Sequence, residues 1–326
     1  MIKKILVTGG AGYIGSHVVE ELVKKNFKVF IVDNLSNGYK KLINKKANFY
    51  LCDIKNFKKL NKIFKENQIS SVIHLAASLS VGESEKKPKK YYSNNVSGTK
   101  NVIRCCKQNK IKNLIFSSTC AVYKDGMRIV KENSKVNPKS IYGKTKLSAE
   151  KFIKKNLNKG EINYAILRYF NVAGASNSGK IGQITRGDQL FKNLSIASIK
   201  NKPKINIYGD NYQTKDGTCI RDYIHVSDIA NIHLLVLNKI DREKKSIVLN
   251  CGYGNGISVL EAIKEFEKQI KKKFVIEIKN RRKGDMKEII ADNSKIKRYI
   301  NWSPKKNSLN NIVRSCIKWE KKFKLY

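Results

Sequence analysis

The stretch "KILVTGGAGYIG", residues 4–15, decides the fold of this 326-residue chain. An apolar run of strand-forming residues ends at a glycine cluster, and a helical pattern follows over residues 13–25. Gly9, Gly12 and Gly15 are spaced by three. Glycine is needed where a tight turn brings the backbone close to a pyrophosphate at a helix N-terminus. The strand before the glycines and the helix after them therefore predict a dinucleotide-binding turn.

A second strand is predicted for "KVFIVD", residues 28–33, and it ends at Asp33. A carboxylate at this position can accept hydrogen bonds from an adenosine ribose and would repel a 2′-phosphate. The sequence therefore predicts NAD, not NADP, as the cofactor. A third strand is predicted for "NFYLCD", residues 48–53, and it places Asp53 at the adenine edge. A helix N-cap is the alternative role for an acid there.

Strands and helices continue to alternate up to residue 170. Further strands are predicted at 71–76, 113–118 and 164–170, and helices at 56–67, 91–109 and about 141–158. This rotation of strand and helix is typical of a parallel sheet with helices on both faces. The predicted fold class is α/β, with a doubly wound, Rossmann-type parallel sheet.

The regular alternation of predicted strands and helices ends after residue 170. A stretch rich in Gly, Ser and Asn covers residues 171–189 and predicts a loop region, and the later strand-like segments are short: "INIYG", "SIVLNCG" and "FVIEIKN". We therefore expect residues 1–170 to form an NAD-binding Rossmann domain. Residues 171–326 are expected to form a smaller, mixed α/β substrate-binding domain, from which the chain can cross back to the first.

The chain is strongly basic, with a formal net charge of +41 from 67 Lys and Arg residues against 26 Asp and Glu residues. The lysines are spread along the whole length, arginine is scarce, and no nucleic-acid-binding motif is present. A general bias toward lysine codons gives the same composition. Nucleic acid is therefore not expected as a partner, although the charge helps to attract an acidic small molecule.

Hydrophobic patterning and cysteine usage indicate the cellular compartment. The apolar run at the N-terminus is too short for a signal peptide, and no run approaches the length of a membrane span. Four cysteines fall in apolar segments and no pair has metal-ligand spacing: Cys52, Cys105, Cys106 and Cys120. These features predict a cytoplasmic protein with reduced thiols and neither a membrane partner nor a metal.

The segment "YGKTK", residues 142–146, places Tyr142 and Lys146 one helical turn apart on the same face. A phenol ordinarily loses its proton near pH ~10, and a neighbouring cation lowers that value. One interpretation is that Tyr142 is a general base. The alternative is a solvated helix with a partly buried tyrosine, and the spacing alone leaves both open.

Nine motifs in order along the chain resemble those of the UDP-glucose 4-epimerase group of the extended short-chain dehydrogenase/reductase family. They are "VTGGAGYIGSH", "VDNLSNG", "VGES", "NNVSGT", "FSSTCAVY", "YGKTK", "LRYFNVAGA", "DGTCIRDYIHVSDIA" and "RRKGD". The glycine motif and Tyr-x-x-x-Lys identify only the superfamily. The last two motifs narrow the resemblance to sugar-nucleotide 4-epimerases and near relatives.

The resemblance implies roles for individual residues. Tyr142 would be the catalytic base, Lys146 would bond the nicotinamide ribose and lower the tyrosine pKa, and Thr119 would relay the proton at the sugar 4-hydroxyl. The implied NAD contacts are Gly9, Gly12, Tyr13, Ile14, Gly15, Asp33, Asn34, Ser36, Asn37, Gly38, Asp53, Ile54, Leu75, Ala76, Ala77, Asn94, Ser117, Tyr142, Lys146 and Phe170.

The resemblance also implies a UDP-sugar substrate and a homodimer packed through helices of the first domain. Arg221 and Arg282 match the diphosphate-binding arginines of the family, and a guanidinium fork suits phosphate. Asp285 matches the acid on the uridine ribose, and Asn171 matches the asparagine near the phosphates. Thr119 and Gln189 complete the implied substrate contacts.

The reaction depends on the fate of the 4-ketose that Tyr142 and NAD would form. The 4,6-dehydratases carry Asp-Glu directly after the active-site threonine, and related decarboxylases keep the Glu, whereas this chain has Cys120 and Ala121. Neither side chain can serve as the eliminating acid, so the ketose can only be reduced again. The resemblance therefore implies C4 epimerisation, most simply of UDP-glucose and UDP-galactose.

Alternatives remain for the substrate and for the class of protein. Leu79, Gln189 and Ile289 depart from the best-known members, which leaves N-acetylated UDP-sugars and UDP-pentoses open. A 4-ketoreductase would need exchangeable NADPH, which Asp33 disfavours. A non-catalytic, NAD-binding regulatory protein would be free to lose Thr119, and this chain keeps it.

Overall fold

The computed structural model describes residues 3–157, 160–185, 187, 189–282 and 285–323. The chain forms two compact units. The first unit takes residues 1–122, 136–168 and 230–249, and the second unit takes residues 123–135, 169–229 and 250–326.

The strands of the described chain, in order, are β1 (Lys4–Thr8), β2 (Lys28–Asp33), β3 (Asn48–Leu51), β4 (Ser71–His74), β5 (Asn113–Thr119), β6 (Ile129–Val130), β7 (Asn163–Tyr169), β8 (Asn171–Ala173), β9 (Lys204–Tyr208), β10 (Ile220–His225), β11 (Ile247–Cys251), β12 (Gly256–Ser258), β13 (Val275–Lys279) and β14 (Glu288–Ala291).

The α-helices are α1 (Tyr13–Lys24), α2 (Phe57–Asn67), α3 (Val81–Lys86), α4 (Pro88–Tyr91), α5 (Gly98–Gln108), α6 (Ile141–Leu157), α7 (Leu190–Ser198), α8 (Val226–Glu243), α9 (Val259–Ile270), α10 (Ser294–Ile300) and α11 (Leu309–Phe323). Short 3₁₀ turns lie at Lys40–Leu42 and Cys120–Val122, and a π-helical segment covers Tyr92–Ser97.

Seven strands form the larger sheet, in the order β11-β7-β5-β4-β1-β2-β3. The strand β1 pairs in parallel with β2 on one side and with β4 on the other. The chain therefore moves outward from β1 to β3, returns, and continues outward from β4. Such a reversal creates a crevice at the carboxyl ends of the two central strands, where ligands of doubly wound folds bind. The predicted α/β fold class is confirmed.

Both faces of this sheet are buried. Along β1, Leu6 belongs to a core cluster with residues of α2, α5 and α6, while its neighbours Ile5 and Val7 are also fully buried. Because successive strand side chains point to opposite faces, burial of both sets means that both faces are covered. This explains why the strands read as continuous apolar runs, as parallel strands do.

The helix predicted over residues 91–109 is not continuous. It consists of α4, the π-helical segment Tyr92–Ser97 and α5. In the π segment Asn95 is buried, accepts a hydrogen bond from the Ser78 backbone N–H at 2.8 Å and donates to the Thr145 hydroxyl at 3.2 Å. Such π segments occur frequently at functional sites. The widened turn lets this side chain link the loop after β4 to α6.

The other predicted elements of the first half agree with the structure to within about two residues at each end. The third strand ends at Leu51 because Asp53 turns the chain, with its carboxylate accepting from the Lys55 N–H at 2.8 Å. The helix predicted to about residue 158 is described as far as Leu157. The short helix α3 has no counterpart in the prediction, since one and a half turns carry no readable periodicity.

The second unit contains mixed strand pairing. The strand β10 pairs antiparallel with β12 and parallel with β8 and β14, and β14 continues to β6. A separate parallel pair joins β9 to β13. Its core contains aromatic side chains in contact, with the Phe191 ring centroid 4.4 Å from that of Tyr223 and 5.7 Å from that of Phe266.

Candidate active site

The helix α6 carries Tyr142 and Lys146, and its first turn is capped by another segment. The N–H groups at the start of a helix lack intrahelical partners. Here the Glu85 carboxylate of α3 accepts from the Ile141 N–H at 2.8 Å, and the Ser84 hydroxyl accepts from the Tyr142 N–H at 3.1 Å. The two acceptors fix the backbone of the candidate base from outside its own helix.

The third N–H of this turn is capped from within. Ser140 accepts from the Gly143 N–H at 3.1 Å. A Cβ on Gly143 would lie 2.4 Å from the Ala121 carbonyl oxygen, so only glycine lets α6 approach the end of β5 this closely. The glycine of "YGKTK" is therefore a packing requirement for placing Tyr142.

Lys146 is buried, with 3% of its surface exposed. Its ammonium donates to the Ser117 carbonyl oxygen at 2.7 Å and lies 4.8 Å from the centroid of the Phe116 ring. Burial lowers the pKa of Lys146 to about 7, and the Glu150 carboxylate one turn further along α6 opposes that change. The lysine is therefore close to its titration point near neutral pH.

Tyr142 is partly buried, and desolvation of its phenol raises its pKa to about 12. The Thr119 side chain, a hydrogen-bond partner, opposes this rise. Because the net change in the Tyr142 pKa is upward, a lowering of that pKa by Lys146 stays a prediction. Desolvation of the phenol dominates, and the ammonium is directed at the Ser117 carbonyl.

The glycine turn between β1 and α1 fits a phosphate. Gly9 has a φ of +73°, and a Cβ there would lie 2.7 Å from the Ala76 backbone nitrogen. A Cβ on Gly15 would lie 2.1 Å from the Gly9 carbonyl oxygen. Gly12 is the N-cap of α1, it offers no side-chain cap, and the first turn has no acidic residue. The positive end of the helix dipole is thus left to an external anion.

Asp33 lies at the end of β2 with 7% of its surface exposed. Its carboxylate accepts from the Ala11 N–H at 3.0 Å and from the Leu35 N–H at 2.8 Å. Burial raises the pKa of this carboxyl, and the two N–H donors oppose the rise. Asp33 therefore also ties the glycine turn to the end of β2, a role that the sequence did not reveal.

Asp53 is not the N-cap of the following helix. The cap of α2 is Asn56, whose side chain accepts from the Lys59 N–H at 3.0 Å. Asp53 instead accepts from the side-chain amide of Asn34 at 3.0 Å. The pair joins the loops after β2 and β3, where the adenine edge is expected.

The end of β4 is held by a buried histidine. The His74 ring lies between the hydroxyls of Thr8, at 2.7 Å, and Thr99, at 2.9 Å. Burial lowers the pKa of His74 to about 3, and the Lys146 charge acts in the same direction. The imidazole is therefore neutral and joins β1, β4 and α5. No signal in the sequence separates it from an ordinary core residue.

The remaining candidate cofactor contacts of the first unit lie at the carboxyl ends of β1 to β5 or nearby. Asn94 lies in the π segment and donates to the Ser78 hydroxyl at 3.2 Å. The others are Tyr13 and Ile14 in α1, Ser36, Asn37 and Gly38 after β2, Ile54 after β3, Leu75, Ala76 and Ala77 after β4, and Ser117 in β5. Phe170 belongs to the second unit, between β7 and β8.

The candidate substrate residues all belong to the second unit apart from Thr119. Arg221 of β10 is in register with Ile289 of β14, and its guanidinium lies 3.8 Å from the Asp285 carboxylate. The Arg282 guanidinium lies 3.7 Å from the centroid of the Tyr208 ring. These contacts bring the two arginines and the acid of the motifs onto neighbouring segments.

Two further substrate candidates, Asn171 and Gln189, lie on other segments of the second unit. Asn171 starts β8 and is in register with Tyr223 of β10. Gln189 is the exposed residue before α7 and makes no side-chain cap. Lys283 and Gly284 of the "RRKGD" motif lie outside the described residues.

Several residues around the site were missed from the sequence. Ser84 and Glu85 cap α6, and the Tyr208 ring packs against the Arg282 guanidinium. Glu150, one turn after Lys146 on α6, forms a buried ion pair with Arg168, with 2.7 Å between the carboxylate and the guanidinium. Only Glu150 had a readable signal, because it continues the spacing of four that joins Tyr142 to Lys146.

All seven cysteines fall in the described part of the chain, where they are buried and form no disulfide. Across residues 3–157, 160–185, 187, 189–282 and 285–323, none of the helices has the length and apolar character needed to cross a bilayer.

Comparisons with known proteins identify relatives of nearly the whole chain. The NAD dependent epimerase/dehydratase family model matches residues 5–252. The UDP-glucose 4-epimerase of Lactobacillus helveticus is 38% identical over 320 residues, which span 98% of this chain and 97% of that protein.

Solved structures give the same result. The UDP-glucose 4-epimerase of Stenotrophomonas maltophila, crystallised with bound NAD and formylated UDP-arabinopyranose, has a TM-score of 0.95 at 34% identity over 99% of both chains. The UDP-Glc/GlcNAc 4-epimerase of Campylobacter jejuni has a TM-score of 0.85 at 39% identity, over 98% of this chain and 99% of that one. The chain therefore belongs to the NAD dependent epimerase/dehydratase family, and it is similar over nearly its whole length to UDP-glucose 4-epimerases.

Proposed function

We propose that the chain is an NAD-dependent 4-epimerase of UDP-sugars that interconverts UDP-glucose and UDP-galactose. The observation that carries this proposal is the constellation at the end of β5. There Thr119 is a hydrogen-bond partner of the Tyr142 phenol, Lys146 one turn further along α6 donates to the Ser117 carbonyl, and Cys120 and Ala121 come directly after the threonine. The named activity of the relatives supports the same reaction.

The residues of the first unit would move the proton. Tyr142 would take the proton of the sugar 4-hydroxyl, and Thr119, a hydrogen-bond partner of the phenol, would relay it. Lys146 favours the phenolate and holds the nicotinamide ribose. When bound, NAD would supply the acceptor and donor of the C4 hydride and a positive charge in the site. That added charge offsets the desolvation that raises the Tyr142 pKa.

The fate of the 4-ketose is set by the two residues next to Thr119. A dehydratase needs a carboxylic acid at this point, and Cys120 and Ala121 offer a thiol and a methyl group. The ketose would therefore be reduced again, and reduction on the opposite face inverts C4. The reaction would release neither water nor CO₂ from the sugar.

The residues of the second unit would bind the nucleotide. Arg221 and Arg282 suit the diphosphate, since each guanidinium presents several donors in a fixed plane. Asp285 suits the uridine ribose, and Asn171 and Gln189 suit the phosphate and sugar end. In this assignment residues 1–170 bind NAD and residues 171–326 bind the UDP-sugar.

A second candidate substrate is an N-acetylated UDP-sugar. Where some members have a bulky residue that limits the sugar pocket, this chain has the smaller Ile289, which is buried in β14. The Campylobacter jejuni relative is named as an epimerase of both UDP-Glc and UDP-GlcNAc. A dual specificity is therefore part of the proposal.

The proposal extends to a cytoplasmic homodimer packed through helices of the first unit. The mass of the chain is 37.2 kDa, so light scattering on the eluting protein separates a monomer from a dimer directly. A monomeric, fully active protein would rule out the dimer without affecting the proposed reaction.

An activity panel tests the proposed function. The purified protein is incubated with UDP-galactose, UDP-glucose, UDP-N-acetylglucosamine or a UDP-pentose, and the products are followed by NMR and mass spectrometry. We expect 4-epimers of unchanged mass, formed without added reductant, and NAD released on denaturation. Products that have lost water or CO₂, or turnover that consumes added NADPH, would contradict the proposal.

A further inference from the structure

Glu150 is a fully buried carboxylate that the proposed chemistry does not yet use. It lies one turn after Lys146 on α6, as Lys146 lies one turn after Tyr142. Its oxygens accept from the Ser118 hydroxyl at 2.5 Å and from the Arg168 guanidinium at 3.0 Å and 2.7 Å. A buried carboxylate is retained in a protein interior only with such partners.

Glu150 contributes one of three contacts between the end of β5 and α6. Three consecutive residues of the strand each meet a different turn of the helix. Ser117 accepts from Lys146, Ser118 donates to Glu150, and Thr119 is a hydrogen-bond partner of the Tyr142 phenol. Along β5 the Ser118 contact lies between the other two, and along α6 Glu150 follows both Tyr142 and Lys146, so this contact adds a third turn of the helix to the strand. It therefore fixes the register in which strand and helix present Tyr142 and Lys146.

Glu150 is also the acidic residue nearest in sequence to Lys146, whose ammonium group is buried. The groups around Lys146 are the neutral His74 of β4, the Phe116 ring and Ser117 carbonyl of β5, and the Glu150–Arg168 pair, and the Tyr142 phenol belongs to the preceding turn of α6. The buried thiol of Cys120 lies beside the phenol. Among these, only the carboxylate favours the charged form of the lysine through its own negative charge.

We propose that Glu150 is a positioning residue for the reaction, which holds β5 and α6 in register and keeps Lys146 protonated inside the protein. The idea rests on the proposed function, since it assigns the residue through Tyr142 and Lys146. Arg168 pairs with Glu150 from β7, and the carboxylate still opposes the burial that lowers the Lys146 pKa.

The decisive variant is Glu150→Gln, studied as the NAD-loaded protein. Glutamine keeps the volume and the acceptor for Ser118 and removes the charge. Without that charge the proton leaves Lys146 at lower pH, and a neutral amine no longer favours the phenolate. We expect kcat to fall at least about tenfold near pH ~8.5 and much less near pH ~6, because one unit of pKa is a factor of ten. KM for UDP-galactose should change little.

Two further variants separate charge from structure. Glu150→Gln combined with Arg168→Met removes both charges, so the pH profile should move back toward that of the parent. Asp241→Asn is the matched control. Its carboxylate accepts from the side-chain amide of Asn113 at 2.6 Å, and Asn113 is the first residue of β5, at the opposite end from Ser118. This control should leave the pH profile of the parent intact.

Each outcome decides the matter, given a parent protein that epimerises. A folded Glu150→Gln protein with full NAD content and the parent pH profile would overturn the proposal. Equal loss at every pH would reduce Glu150 to a structural residue and would also overturn it. If Glu150→Gln fails to fold, the double variant carries the test, and a double variant whose activity is lost equally at every pH would refute the charge role. An inactive parent would instead refute the proposed function.

Discussion

The candidate groups of the first unit and those of the second unit differ in how they are held. Thr119 and Lys146 are 8% and 3% exposed, and each has defined partners on a neighbouring element. In the second unit Gln189 and Asp285 are exposed. The contact between Arg221 and Asp285 spans 3.8 Å, and their side chains keep 13% and 35% of their surface exposed.

The difference matches the tasks that we assign to the two groups. A proton acceptor must be held in a fixed geometry and a shifted pKa, which needs burial and a supporting shell. A nucleotide can itself complete the hydrogen bonds of arginine and aspartate side chains. Substitutions in the first group should therefore change kcat, and those in the second should mainly change KM.

The largest effect is expected for Tyr142→Phe. Only one hydroxyl is removed, and the backbone N–H of residue 142 keeps its bond to Ser84, so folding and NAD content should be unchanged. General-base catalysis of this kind is typically worth about 10²- to 10⁴-fold in rate. Steady-state kinetics should show a loss of kcat in this range with a KM close to that of the parent. Parent-like turnover at full NAD occupancy would show that this group of the first unit does not set kcat.

A smaller effect of the other type is expected for Arg282→Met. Hydrogen bonds to charged groups contribute about 1.5–3 kcal/mol, so KM for UDP-galactose should rise roughly 10- to 100-fold with kcat much less affected. The neighbouring Arg281 is the matched control. Its guanidinium stacks on Tyr212 at 4.0 Å and donates to the Asn211 side chain at 2.8 Å. If Arg281→Met raises KM as much as Arg282→Met does, the diphosphate assignment is wrong.

A cofactor effect of about tenfold is expected for Asp33→Asn. The variant keeps one acceptor oxygen for the Ala11 or Leu35 N–H and removes the charge that repels a 2′-phosphate. Competition between NAD and NADP for the stripped protein should therefore shift toward NADP. Unchanged discrimination would show that another group selects the cofactor.

The smallest effect is expected for Ser84→Ala, which removes the cap on the Tyr142 N–H. Loss of a helix cap typically costs about 0.5–2 kcal/mol. We expect a drop of a few degrees in Tm and a fall of kcat by roughly twofold to tenfold, because the base is less well placed. Ser93→Ala, at an exposed serine, is the control. A Ser84→Ala protein with parent kcat and Tm would show that the cap from α3 is dispensable.

Local patterns predicted the large sheet because its strands are apolar on both faces and its helices are amphipathic. They also identified Tyr142, Lys146 and Asp33, whose positions depend on short motifs. They did not predict the π segment around Asn95, since a π turn has the same composition as an α-helix. They could not predict the raised Tyr142 pKa, because desolvation depends on atoms brought together only by folding.

The same limit applies to supporting residues distant in sequence. Ser84 and Glu85 lie 58 and 56 positions before the residues whose N–H groups they accept. No spacing rule connects them. Arg168 likewise contacts Glu150 from β7. A single arginine in an apolar strand gives no sequence pattern from which its partner can be predicted.

The measurement that tests the central claim most directly uses UDP-galactose labelled with deuterium at C4. The purified protein converts it in ordinary water without added cofactor, and NMR and mass spectrometry give the position and amount of label in the product. Oxidation and re-reduction at C4 predict UDP-glucose of unchanged mass with the deuterium still on C4. Loss of the label to solvent, or a product lacking water or CO₂, would contradict the account.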